Sequence, residues 1–154
     1  FGTRRGDARP EFHVALGRWF ADLDAVRDLL GAAGLPVEGV AEHFHTFLVA
    51  ESGGSVIGAM GLEVYDATAL LRSAVVAGAH QRSGVGTTLF VRLLDLARDE
   101  KVARLILLTN TAESYFRRKG FRTVDANAIT GPIRQSTEFT GACPSTAVCM
   151  EMTL

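Results

Sequence analysis

Along the chain, apolar and polar positions change their spacing repeatedly, and each change marks an element. In "FHVALGRW" (12–19), Phe12, Val14, Leu16 and Arg18 alternate with His13, Ala15 and Gly17, the two-residue period of a strand. Next, Leu23, Val26, Leu29 and Leu30 recur at three- and four-residue steps, which predicts a helix capped by Asp22 and ended by Gly34 and Pro36. The loop 37–43 leads to "TFLVAE" (46–51) and "SVIGAMGLEVY" (55–65), which flank the turn signal "SGG" as a hairpin would. "ALLRSAVVA" (69–77) is apolar almost throughout, as expected of a strand buried on both faces at the centre of a sheet. From Gly86 the period is helical again: Leu89, Phe90, Leu93, Leu94 and Ala97 share one face, and Arg92, Asp95, Arg98 and Asp99 the other. "ARLILLTN" predicts another central strand, "AESYFRRK" a short helix closed by Gly120, and the alternating "TAVCMEMTL" a final strand. The order is strand, helix, hairpin, strand, helix, strand, helix, then one or two strands. It predicts an α/β fold: a mixed sheet flanked by helices, antiparallel at its start, with a βαβ unit in the middle.

The totals narrow the picture. A chain of 154 residues is read as one domain over 11–154, preceded by a flexible leader, "FGTRRGDARP" (1–10). It begins at Phe1 without a Met, which leaves its true N-terminus open. A net charge of −1 gives no basic field for nucleic acid. Apolar runs such as "LILL" and "AVVAGA" are far shorter than the ~20 residues a membrane span needs. Two cysteines make no disulfide framework, and a reducing, cytoplasmic setting is expected.

Where the central strand feeds the helix stands "HQRSGVG" (80–86). The first amide N–H groups of a helix lack intrahelical partners, and the helix dipole adds positive character there. Gly84 and Gly86 remove Cβ atoms that would hold a phosphate away from those amides, while Gln81, Arg82 and Ser83 add side-chain donors. A plain glycine-containing turn is the alternative that spacing leaves open. Two other phosphate motifs do not fit. No Lys follows Gly86, as a nucleoside-triphosphate loop requires, and "GVGTTL" puts Leu89 where a dinucleotide fingerprint needs its third glycine.

In this setting "HQRSGVGTTL" resembles the Q/R-x-x-G-x-G/A signature of the GNAT superfamily of N-acetyltransferases. "LLRSAVVAG" is similar to the strand that precedes it in the family, and "LILLTN" with "AESYFRRKGF" to the later strand and helix that splay away. The likeness runs from Asp22 to Phe121 with the elements in the same order. It implies the GNAT fold and acetyl-CoA as cosubstrate, without a metal. The pyrophosphate is expected on Gln81, Arg82, Ser83, Gly84, Val85, Gly86 and Thr87, and the pantetheine arm along Val75 and Val76, with Asn110 holding pantetheine or substrate. Asn110 read from spacing alone is equally a helix N-cap. A finer likeness, carried by "LLRSAVV", "TAESYFRRKGF" and "STEFTGACPSTAVCMEM", is to small acetyltransferases associated with bacterial arsenic-resistance operons. That likeness implies a primary-amine acceptor resembling an amino acid, such as glutamate, phosphinothricin or arsinothricin. The expected partner is that small molecule, with no nucleic acid and no membrane; a homodimer is left open.

Amide formation from a thioester needs a neutral amine, a polarised carbonyl and a thiolate able to leave. The family polarises the carbonyl with a strand N–H, expected here at the Ala74 backbone, within Ala74 to Val76. Many relatives protonate the sulfur with a Tyr four residues before the Gly of Gly-Phe. That position here is Phe116, so its neighbour Tyr115 becomes the candidate acid, the alternative being a half-buried aromatic. An acid is not indispensable, because a thiol of pKa about 8.5 leaves as thiolate unaided. Glu63 is the first candidate base, and a solvent-facing strand residue is its alternative. His43 and His45 follow the first helix on the side where relatives keep the acceptor; with no Cys/His cluster near them, no metal is expected. A charge within "ALLRSAVV" is costly unless it meets an anion. Arg72 is therefore either a fork for the acceptor's carboxylate or one half of an internal pair with Glu63. Ser73 alternates to the opposite face, so both serve one pocket only if the strand bulges. Cys149 is expected in the core and Cys143 in a loop. The runner-up function is a non-catalytic, regulatory acyl-CoA-binding module, favoured by the hydroxyl missing at Phe116.

Overall fold

The computed structural model describes residues 11–142 and 146–154. The leader 1–10 and Cys143 lie outside the described residues. Strands β1 (His13–Leu16), β2 (Phe47–Ser52), β3 (Ser55–Tyr65), β4 (Thr68–Val76), β5 (Arg104–Thr109), β6 (Arg122–Val124) and β7 (Val148–Thr153) form one sheet. Their order is β1-β2-β3-β4-β5-β7-β6. Helices α1 (Trp19–Ala32), α2 (Val85–Asp99) and α3 (Glu113–Arg118) connect them. Every strand pair is antiparallel except β4 with β5, which the crossover through α2 makes parallel. The expected βαβ unit therefore sits at the sheet centre.

The helix ends follow local chemistry. Gly34 and Gly120 stand at φ +71° and +110°, where a residue without Cβ costs least, and they close α1 and α3. The start of α1 differs from expectation. It begins at Trp19, three residues before Asp22, whose buried carboxylate reaches back to accept the Arg18 backbone N–H at 2.8 Å. The expected loop 37–43 also differs, since a turn of 3₁₀-helix (Ala41–Thr46) precedes β2.

Alternation along β2 and β3 divides the core. Leu48, Ala50, Met60 and Leu62 face α2, while Phe47, Val49 and Ala59 face α1. Beside α1, a chain of short turns (126–142) covers the same side of β4 and β5 with Ile129 and Ile133, which pack on Leu70, Ile106 and Cys149. Cys149 is buried there as expected; burial first, then the Glu151 carboxylate, pushes its thiol up to about 11, so it stays protonated packing. A Cβ on Gly61 would meet the fully buried Phe47 ring at 2.4 Å. Gly61→Ala is expected to cost on the order of 2 kcal/mol, read as a lowered midpoint in denaturant unfolding. An unchanged midpoint would show that the ring relocates freely.

Candidate active site

Two irregularities make the site. The first is a bulge in β4. Gly61 pairs with Arg72 and Ala59 with Val75, so one residue of β3, Met60, faces two of β4, Ser73 and Ala74. Ser73 takes φ +60°, unusual for a residue with a side chain, and the extra residue resets the alternation. Arg72 and Val75 consequently face α1, while Ala74 and Val76 face α2. The bulge resolves the Arg72–Ser73 conflict: the Arg72 Nε–H donates to Ser73 Oγ at 3.0 Å.

The second irregularity is a splay. The parallel ladder between β4 and β5 ends at Leu70 and Ile106, though both strands continue. Beyond it a cleft of about 750 Å³ opens, walled by Leu71 to Val76 on one side and Leu107 to Ala112 on the other. Its far wall is the end of α1 with the loop to Glu38, and Glu138. Ala74, Val75, Val76, Gln81 and Asn110 all line it. Asn110 is not the N-cap of α3: Thr109 Oγ1 accepts the Ala112 N–H at 3.0 Å, which leaves the amide side chain at the cleft, 3.4 Å from Thr146 Oγ1.

Close to Gln81, α2 begins with Gly84 at φ +90° and no side-chain cap. The first intrahelical bond there is Thr88 N–H to Gly84 O at 3.0 Å, so the N–H groups of Val85, Gly86 and Thr87 precede the ladder. A Cβ on Gly86 would make only ordinary contacts, 3.5 Å to the Tyr115 hydroxyl and 3.8 Å to Val76. Packing does not require glycine at this position, so the open cradle fits an anionic ligand. Arg82 and Thr87 are exposed beside it. Val85 is only 1% exposed and offers its backbone alone, since its side chain is core. Ser83 Oγ–H donates to the His80 carbonyl, so it shapes the turn, and the Gln81 amide donates to Val76 O at 3.1 Å.

Several expected roles are displaced. Phe116, and not Tyr115, is the ring that lines the cleft; the Tyr115 hydroxyl lies instead beside Gly86 at the first turn of α2. Glu63 is 1% exposed and does not line the cleft. Its Oε2 accepts from Arg72 Nη1 at 2.7 Å and its Oε1 from the Tyr65 hydroxyl at 2.6 Å. Burial would raise its pKa, but hydrogen bonds from Tyr65, Ser136 and Arg72 outweigh burial and hold it below the ordinary carboxylate range. A carboxylate so stabilised and enclosed is a poor base for an entering amine. Arg72 borders the cleft with a fully buried side chain. Besides Glu63 and Ser73 it meets Glu138 Oε2 at 3.3 Å through Nε, and its Nη2 donates to Pro36 O at 3.2 Å. The internal pair is therefore what Arg72 makes, with a second carboxylate added.

The histidines diverge because a 3₁₀ turn, with three residues per turn, sends i and i+2 to different sides. His43 Nε2 stands 3.7 Å from Glu63 Oε1, while His45 is exposed, and neither lines the cleft. Burial lowers the His43 pKa more than Glu63 restores it, with Arg72 lowering it further. Glu138 and the loop after α1 were not singled out from the sequence. A lone acid in "STEFTG" and a stretch "AGLPVE" carry no periodic signal, and only the chain path brings them to the cleft.

Comparison with known proteins agrees with this geometry. A family model described as an acetyltransferase (GNAT) domain matches residues 43–123. Among solved structures, N-acetylglutamate synthase from Neisseria gonorrhoeae, complexed with coenzyme A and N-acetyl-glutamate, superposes with TM-score 0.79 at 18% identity. That match covers 96% of this chain and 36% of the synthase chain, so this chain spans little more than a third of it. Rv2747 from Mycobacterium tuberculosis, in complex with CoA and a second molecule, gives TM-score 0.76 at 23% identity over 92% of this chain and 99% of that one. The PaiA N-acetyltransferase from Thermoplasma acidophilum, in complex with coenzyme A, gives 0.70 at 13% over 94% and 99%. At such identities the likeness is one of fold.

Proposed function

Because this chain belongs to the GNAT acetyltransferase family, whose model spans more than half of its 154 residues, we propose that it transfers an acetyl group from acetyl-CoA to the primary amine of a small, amino-acid-like acceptor. The supporting observation is the proximity of splay and helix start: β4 and β5 part beyond Leu70 and Ile106, and the opening is lined by Val76, whose side chain lies 3.8 Å from the position a Cβ on Gly86 would take at the uncapped start of α2. On this reading the diphosphate rests on the N–H groups of Val85 to Thr87, with Arg82 beside it, and pantetheine lies along Val75 and Val76. The thioester then reaches the bulge, where a backbone N–H of the Ala74 region polarises its carbonyl. The wall built by the end of α1, the loop to Glu38 and Glu138 leaves room for a small acceptor. A glutamate-like amine, including phosphinothricin or arsinothricin, is the class we favour, in keeping with the Neisseria enzyme that holds N-acetyl-glutamate.

A second reading, a non-catalytic acyl-CoA-binding module, is favoured by Phe116 lining the cleft at the position where many members of the family carry a Tyr. Incubating the protein with acetyl-CoA, a thiol reagent and a panel of amines separates the two. The panel should contain glutamate, phosphinothricin, arsinothricin and neutral amino acids. Amine-dependent release of CoA thiol is the expected result; tight binding of acetyl-CoA without release selects the module, and no binding at all overturns both.

A further inference from the structure

We propose that the Ser73 hydroxyl is a catalytic donor to the thioester oxygen, a second arm beside the Ala74 backbone N–H; the assignment rests on the acetyltransferase reading above. The backbone prepares the position. Met60 of β3 faces both Ser73 and Ala74 across the bulge, and the strand register pairs neither of them. On the other side of β4 the ladder to β5 has already ended at Leu70. Ser73 and Ala74 therefore stand side by side on the wall of the cleft, outside both ladders.

Serine is a costly residue for this backbone. Its φ of +60° is one that glycine adopts freely, and strain of this kind persists where the surroundings enforce it, above all at functional sites. The hydroxyl is held as well. The Arg72 Nε–H donates to Ser73 Oγ at 3.0 Å, from a guanidinium side chain that is 0% exposed. That bond takes up an acceptor position of the oxygen and leaves its O–H, which meets no acceptor among the described residues. A hydroxyl that accepts from a buried guanidinium is polarised, and so becomes the stronger donor. Ser73 lines the cleft at 8% exposure, one residue from the Ala74 N–H. Two neighbouring donors suit a ligand atom that gains negative charge during reaction, and a carbonyl oxygen under attack is that atom.

The step balances without a proton leaving Ser73. The lone pair of the neutral amine forms the C–N bond, and the carbonyl π pair moves onto oxygen, where the Ser73 O–H and the Ala74 N–H share the negative charge. That pair returns to re-form C=O as the C–S bond breaks with its electrons on sulfur. The proton lost by nitrogen passes through water to the thiolate, leaving an amide and CoA thiol.

Ser73→Gly tests this, because glycine removes the hydroxyl while relieving the backbone, so the fold is kept. The expected result is a fall in kcat of about 100-fold, with the acetyl-CoA dissociation constant and the melting midpoint near wild type. Ser73→Cys, whose thiol is a weak donor, should give an intermediate rate. Infrared difference spectra of bound, carbonyl-labelled acetyl-CoA supply a readout independent of turnover: the carbonyl band should lie at higher frequency in Ser73→Gly than in the wild type, because a hydrogen bond to the oxygen is gone. Full retention of kcat in Ser73→Gly, whatever its melting midpoint, shows that the hydroxyl only anchors Arg72 and overturns the assignment. An unshifted band overturns it too, and either result leaves the acetyltransferase reading intact. A wild-type protein that binds acetyl-CoA but releases no thiol with any amine overturns both.

Discussion

Gly86→Val is expected to raise the dissociation constant for acetyl-CoA by at least about 100-fold while the folded protein keeps a near-normal melting midpoint. The magnitude follows from losing two charge-assisted hydrogen bonds of about 1.5 kcal/mol each, at 1.4 kcal/mol per factor of ten. The separation of binding from folding follows from the local space. The position a Cβ would take is 3.5 Å from its nearest neighbour, ordinary contact, and valine is no worse a helix former than glycine. Gly84 is the less informative position, because φ +90° strains any side chain there whatever the ligand does. Isothermal calorimetry and a thermal melt on the same sample decide the matter. An unchanged dissociation constant removes the phosphate role of the turn, and with it the placement of the thioester.

The second large effect concerns the buried cluster. Arg72→Ala is expected to destabilise the protein by about 3–5 kcal/mol, because it leaves Glu63 ionised and without its guanidinium at 1% exposure. For a chain of this size each kcal/mol lowers the melting midpoint by about 2–4 °C. In the wild type, Glu63 has a folded pKa below its unfolded value, so its contribution is present above the unfolded pKa and fades as pH falls through the folded one. Without Arg72 one of the interactions that oppose burial is lost and that pKa moves up, so the folded state loses part of its preference for the ionised carboxylate. The stability gap between the two proteins should therefore be smallest in acid and widen as pH rises past the carboxylate range. A companion change, Arg72→Met with Glu63→Leu, should recover part of the loss by removing both charges together. A gap that is the same at every pH would mean that Arg72 supports the fold through packing alone.

Much of the fold was legible because periodicity is a local property. The hairpin at "SGG", the central run at "ALLRSAVVA", the amphipathic stretch after Gly86 and the glycine stops at 34 and 120 all follow from spacing within a few residues. The uncapped turn at Gln81 to Gly86 was legible for the same reason: backbone left open at a helix start leaves its mark as missing side chains at fixed positions. Roles that depend on which way a side chain points were less legible. Tyr115 and Phe116 are neighbours in sequence, yet one reaches α2 and the other the cleft, because successive helical residues are about 100° apart. His43 and His45 separate in the same manner, because their segment is helical and not extended.

By itself, then, the sequence determined the order of elements, the central βαβ unit and the open, glycine-flanked start of α2, all set by interactions between residues close in the chain. Only the tertiary structure decided which acid faces the cleft. Glu63 and Glu138 are 75 positions apart, and both reach Arg72; one is enclosed by Tyr65 and His43, the other is left at the cleft wall. That difference is one of solvent access and of neighbours supplied by β3, by β4 with its bulge and by the turns before β7, which no local pattern encodes.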